Sequence, residues 1–133
     1  METQKIIVII TDGIDSTQEL AERIRKELKG YRIIRVLASD FSGTDILPGD
    51  VLFLGCKEAN PPSFVRLEKV LGHINLAGRS CGLFSPGSKE AVRYLAGIVQ
   101  DSELILASKP LFASNGSMDI TDWIDTVISL RRA

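Results

Sequence analysis

The stretch Lys5-Ile-Ile-Val-Ile-Ile10 decides the fold of this chain. Its five consecutive β-branched residues leave no polar face, which is typical of a strand that is buried on both sides in a parallel sheet. The polar segment Thr11-Asp-Gly-Ile-Asp-Ser-Thr17 follows. Apolar residues then recur at a spacing of four, at Leu20, Ile24 and Leu28. This spacing predicts an amphipathic helix, so the region reads as a buried strand, a short loop and a helix.

The rest of the chain alternates strand-like and helix-like patterns in the same way. Four further strands are predicted, at 31–38, 50–55, 78–85 and 104–112. Three further helices are predicted, at 64–74, 88–99 and 119–131. This alternation predicts one α/β domain over residues 1–133, with three layers and a doubly wound, five-stranded parallel sheet.

Several residues mark the expected ends of these elements. Gly30 is the expected C-cap of the first helix, which should end near Lys29. Asp15, Ser16 and Thr17 are all candidate N-caps of that helix, and Ser88 is the expected N-cap of the helix after the fourth strand. Asn115-Gly116 is a predicted turn before the last helix.

Composition excludes several classes of function. The 133 residues include 44% hydrophobic and 25% charged residues, and the net charge is −1. A near-neutral chain argues against a general nucleic-acid or membrane-surface partner, because such binders are usually basic. No apolar run approaches the roughly 20 residues of a membrane helix, and no signal peptide is apparent. Cys56 and Cys81 lack metal-ligand spacing, so we expect reduced thiols in a cytoplasmic protein.

The loop after the first strand is the leading candidate for a ligand site. In open α/β sheets, ligands bind outside the carboxyl ends of the strands, where the strand order reverses. A helix that begins there presents unpaired N–H groups and the positive end of its dipole to an anion. Residues 11–17 are therefore predicted to hold the charged part of a small anionic ligand.

The same loop resembles the signature of the flavodoxin family. That signature ends in Thr, Ala and an aliphatic residue, matched here by Thr17, Ala21 and Ile24, and Val8 and Ile9 match its aliphatic positions. Three residues depart from it: Ile10 replaces an aromatic, Asp12 replaces Ser or Thr, and Asp15 replaces a small residue. Leu54-Gly55-Cys56, Ala77-Gly78-Arg79 and Asp122-Trp123-Ile124 resemble further parts of the family pattern.

The resemblance implies a flavodoxin-like fold with strand order 2-1-3-4-5, bound FMN, and electron transfer between protein redox partners. It places the FMN phosphate on the first loop, at Thr11, Asp12, Gly13, Ile14, Asp15, Ser16 and Thr17. It places the isoalloxazine ring between two later loops, against Gly55, Cys56, Lys57 and Asn60 on one side and Ser85, Pro86 and Gly87 on the other.

The chemistry of these loops keeps a second hypothesis open. A carboxylate about 5 Å from the phosphate would cost roughly 3–4 kcal/mol at an effective dielectric of 20. Asp12 and Asp15 escape most of this repulsion if they point away, and Asp15 is also explained as a helix cap. The flavin loops contain no Trp or Tyr to stack on the ring. Trp123 is expected in the core, and so is Phe64, which is the nearest other aromatic residue. The alternative is a flavodoxin-like domain that has lost FMN and serves as a protein-interaction or regulatory module.

A third hypothesis is a domain related to phosphoacceptor receivers, which share this fold. Asp12, Ser85 and Lys109-Pro110 stand in roughly the receiver positions, but Gly55-Cys56 stands where the acceptor aspartate belongs. Cys56 is expected to be a structural residue rather than a nucleophile. No catalytic triad or metal cluster is apparent, so a carrier or binding domain is expected rather than an enzyme.

Overall fold

The predicted first strand is an interior strand of a parallel sheet, paired with a neighbour on each side. The computed structural model describes residues 6–40, 49–87, 89–107, 110–112 and 120–129. The strands are β1 (Ile6–Thr11), β2 (Arg32–Leu37), β3 (Val51–Gly55), β4 (Ser80–Ser85), β5 (Ile105–Leu106) and β6 (Leu111–Phe112). Their order is β2-β1-β3-β4-β5, with β6 paired to β4, and all pairings are parallel. The predicted order 2-1-3-4-5 is confirmed.

The predicted fifth strand is divided in two. β5 pairs with the start of β4 at Ser80 and Cys81, whereas β6 pairs with its end at Phe84 and Ser85. Pro110 directly precedes β6. Proline has no N–H group to donate to a neighbouring strand, so it cannot continue a regular ladder. A sixth short strand therefore replaces the end of the expected fifth one.

Four α-helices lie in the described part of the chain. They are α1 (Asp15–Glu27), α2 (Val65–Leu71), α3 (Lys89–Val99) and α4 (Ile120–Ser129). Two predicted ends are wrong. α1 ends before Lys29, at the C-cap Leu28, whose N–H bonds to the carbonyl of Arg25, and Gly30 lies beyond it with φ of +86°. α2 ends at Leu71, so Ile74 packs against the core from outside the helix. The predicted cap Ser88 and turn Asn115-Gly116 lie outside the described residues.

The alternation of side chains along the strands builds one apolar layer on each face of the sheet. Ile7, Ile9 and Phe53 point to one face, where they pack with buried residues of α1 and α4. Val8, Ile10, Leu52 and Leu54 point to the other face, against α2 and α3. This arrangement confirms the predicted three layers. None of the helices in the described residues is long and apolar enough to cross a membrane.

Trp123 and Phe64 lie in these layers, as expected. The Trp123 ring on α4 contacts the ring of Phe53, with centroids 5.4 Å apart. Phe64 is fully buried and packs near Tyr94, with centroids 6.1 Å apart. Both aromatic residues therefore contribute to the core and not to the loops at the sheet edge.

Candidate functional site

The carboxyl ends of β1, β3 and β4 meet at one edge of the sheet and surround an open cleft. Its volume is about 490 Å³. The residues that line it come from the three segments that the sequence singled out: Ser16, Lys57, Glu58, Pro86 and Gly87. The tertiary structure thus brings the first loop, the loop after β3 and the loop after β4 to a common space, as parallel strands require.

The start of α1 differs from the predicted capping. The N-cap residue is Ile14, which makes no side-chain capping bond, and its carbonyl accepts a hydrogen bond from the N–H of Gln18 at 2.9 Å. Asp15, Ser16 and Thr17 lie inside the first turn, so none of them is the N-cap. The helix starts earlier because Gly13 turns the chain with φ of +84°, a conformation that suits glycine.

The hydroxyl group of Thr17 stands out in this loop because it is buried without a hydrogen bond to any described residue. The residue is fully buried, and its Oγ1 atom has no hydrogen-bond partner in the described structure. By contrast, the hydroxyl of Thr11 is satisfied, because it donates to Oε1 of Gln18 at 2.7 Å. Leaving a buried hydroxyl without a hydrogen-bond partner lowers the stability of the folded state by roughly 1–3 kcal/mol. A ligand atom that bonds to this hydroxyl would recover that free energy.

Asp12 joins the first loop to the loop after β3. Its Oδ1 atom accepts a hydrogen bond from the N–H of Ile14 at 3.0 Å, and its Oδ2 atom accepts one from the N–H of Lys57 at 2.8 Å. The carboxylate is therefore turned toward backbone donors of both loops. Asp15, in contrast, is exposed in the first turn of α1. The two departures from the family signature thus have different structural roles.

The end of β3 is closely packed. A Cβ atom at Gly55 would come within 2.1 Å of the Phe84 ring, so only glycine fits there. Cys56 follows, fully buried, and burial together with the charge of Asp12 raises the pKa of its thiol to about 12. A thiol with this pKa stays protonated near neutral pH, which agrees with the expected structural role and disfavours a nucleophile.

The rest of the β3 and β4 loops is more open. Asn60 is exposed and has a left-handed φ of +55°. Ser85 is buried, and its Oγ atom accepts a weak hydrogen bond from the N–H of Gly87 at 3.4 Å. The exposed Lys57 and Glu58 place one charge of each sign on the cleft wall. No aromatic residue is among the described residues that line the cleft.

Two features of this edge were not anticipated from the sequence. The first is the bond between Asp12 and Lys57, which are 45 positions apart. The second is a smaller cleft of about 300 Å³ on the β2 side of the first loop, where Arg35 donates to Glu22 at 2.7 Å and to Gln18 at 3.2 Å. Neither has a sequence signal, because both depend on how β1 pairs with its neighbours.

Comparison with known proteins identifies the fold. No family model and no curated protein matches the sequence. Among solved structures, the chain is similar to a short-chain flavodoxin associated with a non-canonical PDU bacterial microcompartment, at TM-score 0.79 and 10% identity, covering 95% of this chain and 97% of that one.

Two further flavodoxins are similar over nearly the same length. The flavodoxin of Streptococcus pneumonia TIGR4 gives a TM-score of 0.77 at 14% identity, covering 93% of this chain and 97% of that one. Flavodoxin 2 from Bacillus cereus gives 0.77 at 18% identity, covering 92% and 97%. The chain therefore has the flavodoxin-like fold.

Proposed function

We propose that this chain binds FMN in the cleft at the ends of β1, β3 and β4 and carries electrons between protein partners. The fold supports the proposal, because doubly wound sheets bind ligands at this edge. The similar structures are flavodoxins, which is consistent with it. In this proposal residues 1–133 form one cytoplasmic domain with no nucleic-acid or membrane partner.

The observation that carries the proposal is the unpartnered hydroxyl of Thr17. It is fully buried in the first turn of α1, beside N–H groups that a helix leaves free at its start. A phosphate oxygen is an acceptor that satisfies both the hydroxyl and such N–H groups. Gly13, with no side chain and φ of +84°, leaves the backbone accessible at the same turn.

The cleft supplies the remaining contacts of the proposal. Ser16 lines the cleft and would hold the phosphate by its hydroxyl group, together with the hydroxyl of Thr17 in the same turn of α1. Lys57, Pro86 and Gly87 would flank the ring. Bound FMN would supply the electron-accepting and electron-donating chemistry. The side chains of this chain would bind the cofactor, orient it and set its exposure at the sheet edge, where protein partners can approach.

Asp12 supports a second candidate function. Its carboxylate already accepts from the N–H groups of Ile14 and Lys57, so the two loops are tied together without a ligand. A sheet edge that satisfies itself in this way suits a module that keeps the fold for contacts with other proteins. This candidate requires that FMN does not bind.

A titration with FMN, followed by flavin fluorescence, distinguishes the two functions. We expect quenching with a dissociation constant below about 1 μM, equivalent to about −8 kcal/mol. Thr17→Val removes the hydroxyl with little change of shape and should weaken binding at least about tenfold, whereas Thr17→Ser should retain it. Absence of binding up to about 100 μM, with a folded circular dichroism spectrum, would reject the flavin carrier and favour the interaction module.

A further inference from the structure

We propose that Asp12 sets the selectivity of the cleft between phosphorylated and unphosphorylated flavins, by holding a carboxylate where a phosphate needs donors. This inference rests on the proposed flavin site and adds the ligand class that the site favours. It concerns a residue at which the chain departs from the flavodoxin signature.

Asp12 competes with an incoming phosphate for hydrogen-bond donors. One N–H belongs to Ile14, the N-cap residue of α1, and the other belongs to Lys57, which is one of the residues that line the cleft. Both are occupied by the two oxygens of one carboxylate, at 3.0 and 2.8 Å. An incoming phosphate has to displace Asp12 from these donors or bind without them. A ligand end that carries only hydroxyl groups has less need of them.

The negative charge of Asp12 also disfavours a phosphate. Asp12 is half-buried and directly bonded to a residue of the cleft wall, so its negative charge is less screened than that of an exposed side chain. FMN carries close to two negative charges on its phosphate, whereas riboflavin has a neutral ribityl end. Repulsion from Asp12 therefore weakens the binding of FMN and leaves the binding of riboflavin nearly unaffected. The effect of Asp12 is to reduce the preference for FMN over riboflavin.

Asp15 provides a matched control within the same loop. It carries the same charge as Asp12 and lies only three positions away, but it is exposed, in the first turn of α1. If overall charge near the helix start were the cause, neutralising either residue would change selectivity equally. If the bonds to Ile14 and Lys57 are the cause, only Asp12 matters strongly.

The test compares the dissociation constants of FMN and riboflavin for the wild type and three variants. Asp12→Asn removes the charge and keeps one carbonyl acceptor. Asp12→Ser also removes the charge, and its shorter side chain cannot bridge the N–H groups of Ile14 and Lys57. Asp15→Asn is the control. Circular dichroism and a thermal melt check that each variant is folded. The readout is the dissociation constant of riboflavin divided by that of FMN. A general loss of structure weakens the binding of both ligands and leaves this ratio unchanged.

We expect the ratio to rise at least about tenfold in Asp12→Asn and further in Asp12→Ser, with a change below about threefold in Asp15→Asn. An unchanged ratio in both Asp12 variants, or an equal rise in Asp15→Asn, would overturn the inference while the flavin function stands. FMN binding only after Asp12 is replaced would support the inference and reject the carrier function of the natural chain. Failure of the wild type and both Asp12 variants to bind either flavin would overturn both proposals.

Discussion

The interior of the sheet and its carboxyl edge obey different constraints. Every residue of β3 and β4 is buried, and the apolar side chains of these strands pack in two layers. At the edge, Asp12 spans two loops, and the Thr17 hydroxyl has no hydrogen-bond partner among the residues that the structure describes. The interior needs only apolar side chains of suitable size, whereas the edge depends on individual polar atoms.

This contrast explains how the fold persists at 10–18% identity to the similar structures. Many apolar residues can fill a layer between sheet and helices, so the interior tolerates wide substitution while its volume is kept. A ligand site tolerates little, because one carboxylate in place of a hydroxyl alters both charge and hydrogen bonding. The similarity of this chain's fold to those structures therefore does not by itself determine which ligand the chain binds.

The largest effect is expected from adding one carbon atom to the interior. Gly55→Ala would place a Cβ atom 2.1 Å from the Phe84 ring, which is fully buried, so the ring or the backbone would have to shift. We expect the free energy of unfolding to fall by about 3 kcal/mol or more, from overpacking. Chemical denaturation monitored by circular dichroism measures this change.

Gly97→Ala is the matched control for this substitution. Gly97 lies inside α3, and a Cβ atom there would meet nothing within 4 Å. Alanine is the better helix former, so this variant should gain about 0.5–1 kcal/mol. An equal fall in the free energy of unfolding of both variants would show that the contact with Phe84 is not what makes Gly55 sensitive to substitution.

A smaller effect of opposite sign is expected at the edge. Thr17→Val removes the buried hydroxyl that lacks a partner, so without ligand the free energy of unfolding should rise by about 1–3 kcal/mol. The measurement is again chemical denaturation, with Thr17→Ser, which keeps the hydroxyl, as the control. A loss of stability in Thr17→Val alone would show that this hydroxyl is satisfied in solution. Saturating FMN should narrow the difference between variant and wild type by about 1.4 kcal/mol for each tenfold difference in dissociation constant, since the wild type binds the ligand more tightly.

The third effect is a dependence of stability on alkaline pH. Burial raises the pKa of the Cys81 thiol from 9.0 to about 12. The unfolded chain then loses this proton before the folded chain does. The associated stability is present below pH 9 and is lost as the pH rises toward about 12, at a slope of about 1.4 kcal/mol per pH unit.

Cys81→Ala removes this thiol and should flatten the slope by that amount, although its stability at neutral pH falls because a small cavity forms. Urea denaturation of both proteins between pH 9 and 11 gives the two slopes, and lysine and tyrosine titration contributes equally to each. Parallel slopes would mean that the Cys81 thiol titrates alike in the folded and unfolded chains. Cys56, with a similarly raised pKa at the edge, provides a second position for the same comparison.

Local sequence patterns determined most of the architecture. The apolar run before Thr11 predicted a central strand, and the recurrence of Leu20 and Ile24 predicted the buried face of α1, because both patterns reflect burial along one element. The strand order followed from the family resemblance and is confirmed. Element ends were less accurate, as at Leu28 and Pro110, because the ends depend on contacts with neighbouring elements.

The sequence also predicted which loops meet at the carboxyl edge, since parallel strands bring their carboxyl ends to one edge of the sheet. Only the tertiary structure decided how those loops interact. The direction of the Asp12 carboxylate, the burial of the Thr17 hydroxyl and the contact of Gly55 with Phe84 all join residues that are distant in sequence or depend on packing around them. Such features are set by the register of β1 against β3 and of β3 against β4, which no local pattern encodes.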